Sequence, residues 1–198
     1  MLDLVQMSSA SPVGPLRLVA TPTALVGVYF AQHRNAPVID AREVAHHPVL
    51  DQAIFELDEY FRGARTVFST PLAPCGTPFQ LAVWDALLAI PYGETRSYAQ
   101  LARMVGRPKA TRAVGATNGR NLLSLFIPCH RVIGASGRLT GYAGGLDAKS
   151  WLLSHEQRSA GAARASIAVR AGPQGGPECL ATQRPTPDRT LALSRPLT

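Results

Sequence analysis

At 198 residues the chain has room for one large domain or two small ones, each with a core of its own. Hydrophobic residues at 46%, charged residues at 17% and no apolar run near the roughly 20 residues of a bilayer span exclude a helical membrane protein, and Met1 to Gly14 lacks the pattern of a secretory signal. A cytoplasmic location is expected, and three scattered cysteines, Cys75, Cys129 and Cys179, exclude both a disulfide scaffold and a Cys-x-x-Cys metal site.

The net charge of +7 is regional: residues 1–78 hold five Arg against seven acids, residues 79–158 ten Lys or Arg against four, and the remainder five Arg against two. From Arg96 to Arg131 seven cations appear without one acid. Such a stretch suits a polyanion, whose condensed counterions are released as phosphates are neutralised, and it equally suits an ordinary basic surface.

Leu16–Ala20 and Leu25–Phe30 are β-rich runs around Thr21-Pro-Thr-Ala24, which predicts a hairpin. Leu50, Ile54, Leu57, Tyr60 and Phe61 fall at helical spacing and predict a helix over 47–62, stopped by Gly63; Phe68–Ala73 reads as a strand or an extended linker. The texture then changes. Thr77 and Pro78 open a helix whose stripe, Phe79, Val83, Trp84, Leu87 and Leu88, is core and ends at Ile90-Pro91. Ser97-Tyr-Ala-Gln100 has the form of a capping box and starts a short helix that stops at Gly106; a second helix runs from the Gly106-Arg-Pro108 turn to about Asn118. The pair fits a helix-turn-helix, a pattern that many enzymes also contain without touching DNA. The apolar run Leu122–Ile127 reads as strand-like, Asp147 as the cap of a last helix over 148–157, and residues from Ser159 onward, with five Pro, four Gly and no aromatic, as a disordered tail.

Chemistry concentrates at Pro128-Cys-His-Arg-Val132. A thiol attacks only as thiolate, which nearby bases and cations favour, and Cys129 is followed directly by His130 and Arg131. His130 is a candidate base acting through a water or a bend, and Glu156 the candidate carboxylate to orient it; by its position beside His155 near a helix end, Glu156 alone reads sooner as a solvated surface acid.

Taken in order, Gly76-Thr-Pro-Phe-Gln80, Ile90-Pro-Tyr-Gly93, Ser97-Tyr98, Ala113-Val-Gly115, Asn121, Pro128-Cys-His-Arg-Val-Ile133, Gly141-Tyr-Ala-Gly-Gly145 and Trp151-Leu-Leu-Ser-His-Glu156 resemble the methylated-DNA-protein-cysteine methyltransferases of bacterial type. The resemblance implies an α/β fold: a small mixed sheet-plus-helix domain (1–75), then a mainly helical, winged-helix-like domain (76–158) that binds DNA and accepts the alkyl group, then the tail (159–198). It implies a single-turnover transfer to Cys129 from O6-alkylguanine, with O4-alkylthymine as a further candidate lesion, in double-stranded DNA. His130 and Glu156 would generate the thiolate and Asn121 would brace the turn. Tyr98 would help rotate the nucleotide and protonate the departing base, while Arg112 would fill the vacated stack, with Ala113, Gly115 and Arg120 also at the DNA. Val132, Tyr142, Ala143 and Gly144 would line the base pocket. No cofactor and no metal are implied, and the chain would act as a monomer. Many relatives follow the asparagine with proline; Leu122 here predicts a less rigid loop. Two other readings compete: a DNA-binding module that senses lesions without chemistry, and a cysteine hydrolase built on Cys129, His130 and Glu156.

Overall fold

A computed structural model describes residues 3–33 and 36–170, with the side chains of the last helix described as far as Gly161. The first half is a four-stranded sheet in the order β3-β2-β1-β4, covered by one helix. The predicted hairpin is one side of it: β2 (Leu16–Ala20) and the edge strand β3 (Leu25–Phe30) pair antiparallel, with Leu16 opposite Phe30. Two strands are additional. β1 (Val5–Ser9) adds antiparallel to β2, and the two-residue β4 (Arg42–Glu43) adds parallel to β1.

Helix α1 (Pro48–Phe61) begins with Pro48, whose missing N–H costs nothing in a first turn, and buries Leu50, Ala53, Leu57 and Tyr60. Each of these leucines removed from water contributes about 1.5–3 kcal/mol. The segment after α1 is not a strand; it is tied to the sheet edge by Leu25 N to Pro71 O (2.8 Å) and Ala73 N to Leu25 O (2.9 Å). Buried Glu56 holds the same segment by accepting from the backbone and hydroxyls of Ser69 and Thr70.

The second half is helical. The predicted capping box of Ser97 with Gln100 opens α3 (Tyr98–Met104), and the predicted N-cap Thr77 opens α2 (Pro78–Leu88), where Gln80 completes a second box that was not expected. Helix α4 (Thr111–Asn118) completes the pair, and β5 (Arg96–Ser97) pairs parallel with β6 (Val132–Ile133) as a minimal wing. One hydrophobic core runs through both halves, from Leu18 and Leu57 to Leu101 and Leu152.

Three expectations change. Leu122–Ile127 is not a strand but a tight turn, with bridges Val28 to Leu123 and Ser124 to Ile127 and with Leu125 at φ 71°, a left-handed conformation costly for a branched side chain. An apolar run bounded by turn residues does not by itself tell strand from buried loop. Helix α5 (Gly145–Arg170) starts before Asp147, which therefore lies in its first turn rather than at its cap. The same helix continues past Gln157, so the start of the expected disordered tail is helical: Ser159–Arg170 is rich in alanine, and no proline interrupts it before Pro173. The rest of that tail lies outside the described residues. Among the described residues no helix is long and apolar enough to cross a membrane.

Candidate active site and DNA-facing groove

A single 3-10 turn, Cys129–Arg131, presents the motif between the Leu122–Ile127 turn and β6. Asn121 organises it from three sides: its Nδ2 donates to Ile127 O (2.9 Å) and to Cys129 Sγ (3.1 Å), and its Oδ1 accepts from Leu123 N (3.0 Å). Asn118 at the end of α4 donates to Cys129 O (3.3 Å). The loop expected to be loose without proline is thus pinned by Asn121 and, through Val28 N to Leu122 O (2.7 Å), by the sheet.

Cys129 is only 2% exposed. Burial pushes its thiol up from its ordinary range, opposed by the Asn121 N–H and by the Lys149 ammonium, so the resting group is a thiol. Lys149 itself is buried, donating to Val132 O (2.6 Å) and Thr140 O (3.1 Å).

Glu156 is no surface acid: at 1% exposure it meets His130 Nε2 (2.8 Å), Arg131 Nε (2.9 Å) and Nη2 (3.0 Å), and the backbone N–H of Gly93 (3.0 Å). Burial works against its charge, but the bonds from His130 and the Arg131 guanidinium more than reverse this and hold the carboxyl down at about 2. For His130 burial dominates and lowers its pKa, with Arg131 and Lys149 acting in the same direction against Glu156, so the imidazole is neutral. A neutral imidazole beside a carboxylate carries its proton on Nε2. Nδ1, buried and without a partner among the described residues, then keeps a free lone pair, which is what a base for a neighbouring thiol requires.

On the outer side, a groove of about 500 Å³ runs between α4 and the Gly-rich loop. Tyr98, Arg112, Gly115 and Arg120 line it from the helix pair, Tyr142 and Ala143 from the loop. Tyr98 Oη is hydrogen-bonded to Thr140 Oγ1 (2.8 Å). Ala113 is exposed on α4 outside that lining; Val132 is buried in β6, and Gly144 lies behind the loop against the first half of the chain. A Cβ on Gly144 would sit 2.6 Å from the Phe30 ring, which also packs edge-on to Tyr142 at 5.5 Å, so only glycine lets the loop close onto β3. The basic stretch is not one surface stripe: Arg131 is internal and bound to Glu156, and Arg96 pairs with Glu94 (2.9 Å).

The structure thus bonds Asn121 to Cys129 and Glu156 to His130 on one buried turn, and sets Tyr98 and Arg112 in the groove that Tyr142, whose ring lies 6.4 Å from that of His130, lines from the other side. Lys149, Thr140 and Phe30 belong to the same arrangement although the sequence offered no signal for them, and Arg131, expected as a cation beside the thiol, is instead bound to Glu156.

Asn121→Ala should cost roughly 2–4 kcal/mol in urea denaturation, because Leu123 N is left buried without an acceptor, and should slow reaction at the thiol on the order of tenfold. Asn121→Asp retains that acceptor but turns a carboxylate toward sulfur, so it should be the more stable variant and the slower one.

A buried cysteine followed by a carboxylate-bound histidine, in the same half of the chain as a helix pair whose groove carries Arg112 and Arg120, fits the class of proteins that do covalent chemistry on a group delivered from a polyanion. Comparison with known proteins agrees. The ribonuclease-like domain of 6-O-methylguanine DNA methyltransferase matches residues 5–74 and the DNA binding domain of the same family residues 78–158. The chain belongs to that family. It is 46% identical to the methylated-DNA--protein-cysteine methyltransferase of Methanosarcina acetivorans, over 74% of this chain and 94% of the relative, and 46% identical to that of Mycobacterium leprae, over 76% and 90%. The crystal structure of Mycobacterium tuberculosis OGT in complex with DNA matches with a TM-score of 0.73 at 42% identity, covering 77% of this chain and 92% of that one.

Proposed function

We propose that the chain is a DNA repair protein that takes the alkyl group from O6-alkylguanine in duplex DNA onto its own Cys129, once per molecule. The observation that carries this reading is the pairing of Glu156 with His130 Nε2 directly after the buried Cys129, which leaves His130 Nδ1 without a partner among the described residues, in a half of the chain whose groove is lined by Tyr98 and Arg112. An alkylated oxygen inside a duplex cannot reach a thiol that is 2% exposed, so the base has to leave the stack, at a cost of a few kcal/mol that damaged pairing reduces. Arg112 and Arg120 bind the backbone and the vacated space, and Tyr142 and Ala143 flank the flipped base.

The thiol proton passes through a water to His130 Nδ1, and the imidazolium is stabilised by Glu156. Sulfur forms a bond to the alkyl carbon in line with the breaking C–O6 bond. The electron pair of that bond goes to guanine, which takes a proton from Tyr98. The product thioether has no easy leaving route, which limits the protein to one turnover. O4-alkylthymine presents the same kind of carbon and is a second candidate substrate. Residues 1–75 act as the backing domain and 76–158 as the DNA-binding and acceptor domain. A single chain carries the whole network, so a monomer suffices, and the reducing cytoplasm keeps the acceptor a free thiol.

The test is intact-protein mass after incubation with a duplex carrying one O6-methylguanine. A stoichiometric gain of roughly 14 Da, mapped to Cys129 and absent with undamaged duplex, is the expected result of an activated thiol replacing H by CH3. Tight lesion-selective binding with unchanged mass would instead make the chain a lesion sensor.

A further inference from the structure

One contact of the Glu156 network comes from the sheet-and-helix half of the chain. Tyr60, in the last turn of α1 and 1% exposed, donates its hydroxyl to Glu156 Oε1 at 2.9 Å, the same oxygen that meets His130 Nε2 at 2.8 Å and Arg131 Nη2 at 3.0 Å. Its carbonyl oxygen lies 2.7 Å from His155 Nε2, so two successive residues of α5 are fastened to this one residue. The ring is held by Phe61, Phe68 and Tyr92, with centroids 5.3, 5.4 and 5.9 Å away. A hydroxyl this deeply packed has little freedom to point elsewhere.

We propose that Tyr60 is a positioning residue for alkyl transfer: its hydroxyl occupies part of Glu156 Oε1, fixing the carboxylate against His130 and limiting how strongly it pulls on the imidazole proton. The inference rests on the alkyl-transfer reading above. Glu156 has to satisfy two demands at once. It must hold the Nε2 proton so that Nδ1 stays an acceptor, yet it must not bind an imidazolium so well that His130 is already protonated before the thiol reacts. Oε2 is committed to Gly93 N and Arg131 Nε, which leaves the charge on Oε1 to be divided between His130, Arg131 and Tyr60. Each donor that takes a share leaves less for the histidine. Tyr60 is suited to this because burial, and then the charge of Glu156, push its hydroxyl well above its ordinary range, so it remains a neutral donor.

The other ionisable groups around Tyr60, Glu156 and His130 are Arg131 and Cys129 from the turn, Lys149 and His155 from α5, Tyr92 from the loop after α2 and Tyr142 from the Gly-rich loop. Arg131 and Lys149 are cations that already disfavour an imidazolium, and no substitution at position 60 removes them. The hydroxyl of Tyr60 is therefore the adjustable contact, and Tyr60→Phe deletes it while leaving the ring, the Arg131 fork and the Gly93 bond.

The experiment measures single-turnover methyl transfer from an O6-methylguanine duplex across the acid and neutral pH range for the full chain, for Tyr60→Phe and for Phe61→Leu. Phe61 packs in the same aromatic cluster without touching Glu156, so its truncation reports a purely structural loss. For Tyr60→Phe the midpoint of the acid limb is expected to rise by about half a pH unit or more, with a several-fold slower reaction at neutral pH. Phe61→Leu is expected to lower the melting temperature and keep the midpoint of the unmodified chain. An unshifted midpoint in Tyr60→Phe, or an equal shift in Phe61→Leu, overturns the assignment while transfer by the unmodified chain upholds the reading beneath it. Absence of transfer by the unmodified chain overturns both. A second measurement needs no variant: nitrogen-15 spectra of the imidazole should show His130 with its proton on Nε2 at neutral pH, and an imidazolium or an Nδ1–H form there would refute the inference.

Discussion

A chain carrying Cys129→Ser should fold, bind a duplex containing O6-methylguanine within about threefold of the unmodified chain, and gain no methyl group at all. The substitution changes one buried atom and leaves every DNA-facing residue in place. What it removes is the nucleophile. The buried site already pushes a thiol up from its ordinary range, and a hydroxyl starts far higher still; each further unit of pKa lowers the reactive anion about tenfold. Binding by gel shift and mass by intact-protein spectrometry separate the two functions in one sample. A serine chain that still gained a methyl group would place the acceptor elsewhere. The same geometry predicts an inverted order of thiol reactivity in the unmodified chain. Cys75 is exposed and should react before Cys129 with a general alkylating reagent, while Cys129, 2% exposed, should react before Cys75 only with lesion DNA. Selectivity here comes from delivery: the electrophile reaches the buried sulfur because the DNA is seated in the groove.

Much of this arrangement was legible in the residues. Thr77-Pro78 and Ser97 with Gln100 are local signals, and local hydrogen bonds made both helix starts where they were expected. The α1 stripe and the β2-β3 hairpin were equally direct, since periodicity there decides which face is buried. Strand β1 was not visible because Val5-Gln-Met-Ser-Ser9 shows no clean alternation; only Val5 is fully buried, and the strand exists because β2 offers it an edge. Arg131 and Lys149 read as surface cations by type, and only a tertiary structure can supply the carboxylate and carbonyls that make their burial affordable. Tyr60 illustrates the same limit from the apolar side. Its place in the helical stripe predicts burial, while its hydroxyl bond spans 96 positions of sequence to Glu156.

Glu156→Gln should be an isosteric change that damages stability and transfer together. It keeps volume and one acceptor oxygen but removes the charge that neutralises Arg131, which is 6% exposed and has no other carboxylate among its described contacts. Leaving a buried guanidinium uncompensated costs about 3–5 kcal/mol. The amide also cannot stabilise an imidazolium at His130, so transfer should fall by about two to four orders of magnitude, the usual range for losing a general base. Glu94→Gln, at an exposed pair with Arg96, is the control and should stay within about 0.5 kcal/mol. Acid supplies an independent reading. Because Glu156 titrates at about 2 in the folded chain and at an ordinary 4.5 when unfolded, its contribution is present above pH 4.5 and is lost as pH falls from there toward 2. That loss amounts to roughly 3 kcal/mol for a shift of this size. Glu56, also lowered once its hydrogen bonds outweigh burial, and His130, held neutral by burial, add acid sensitivity of their own in both chains. The difference in unfolding free energy between the unmodified chain and Glu156→Gln should therefore be largest near neutral pH and shrink through the window below 4.5. A gap that stayed constant down to pH 2 would mean that the carboxylate is not held ionised by Arg131 and His130, and that the base of this site draws its orientation from somewhere else.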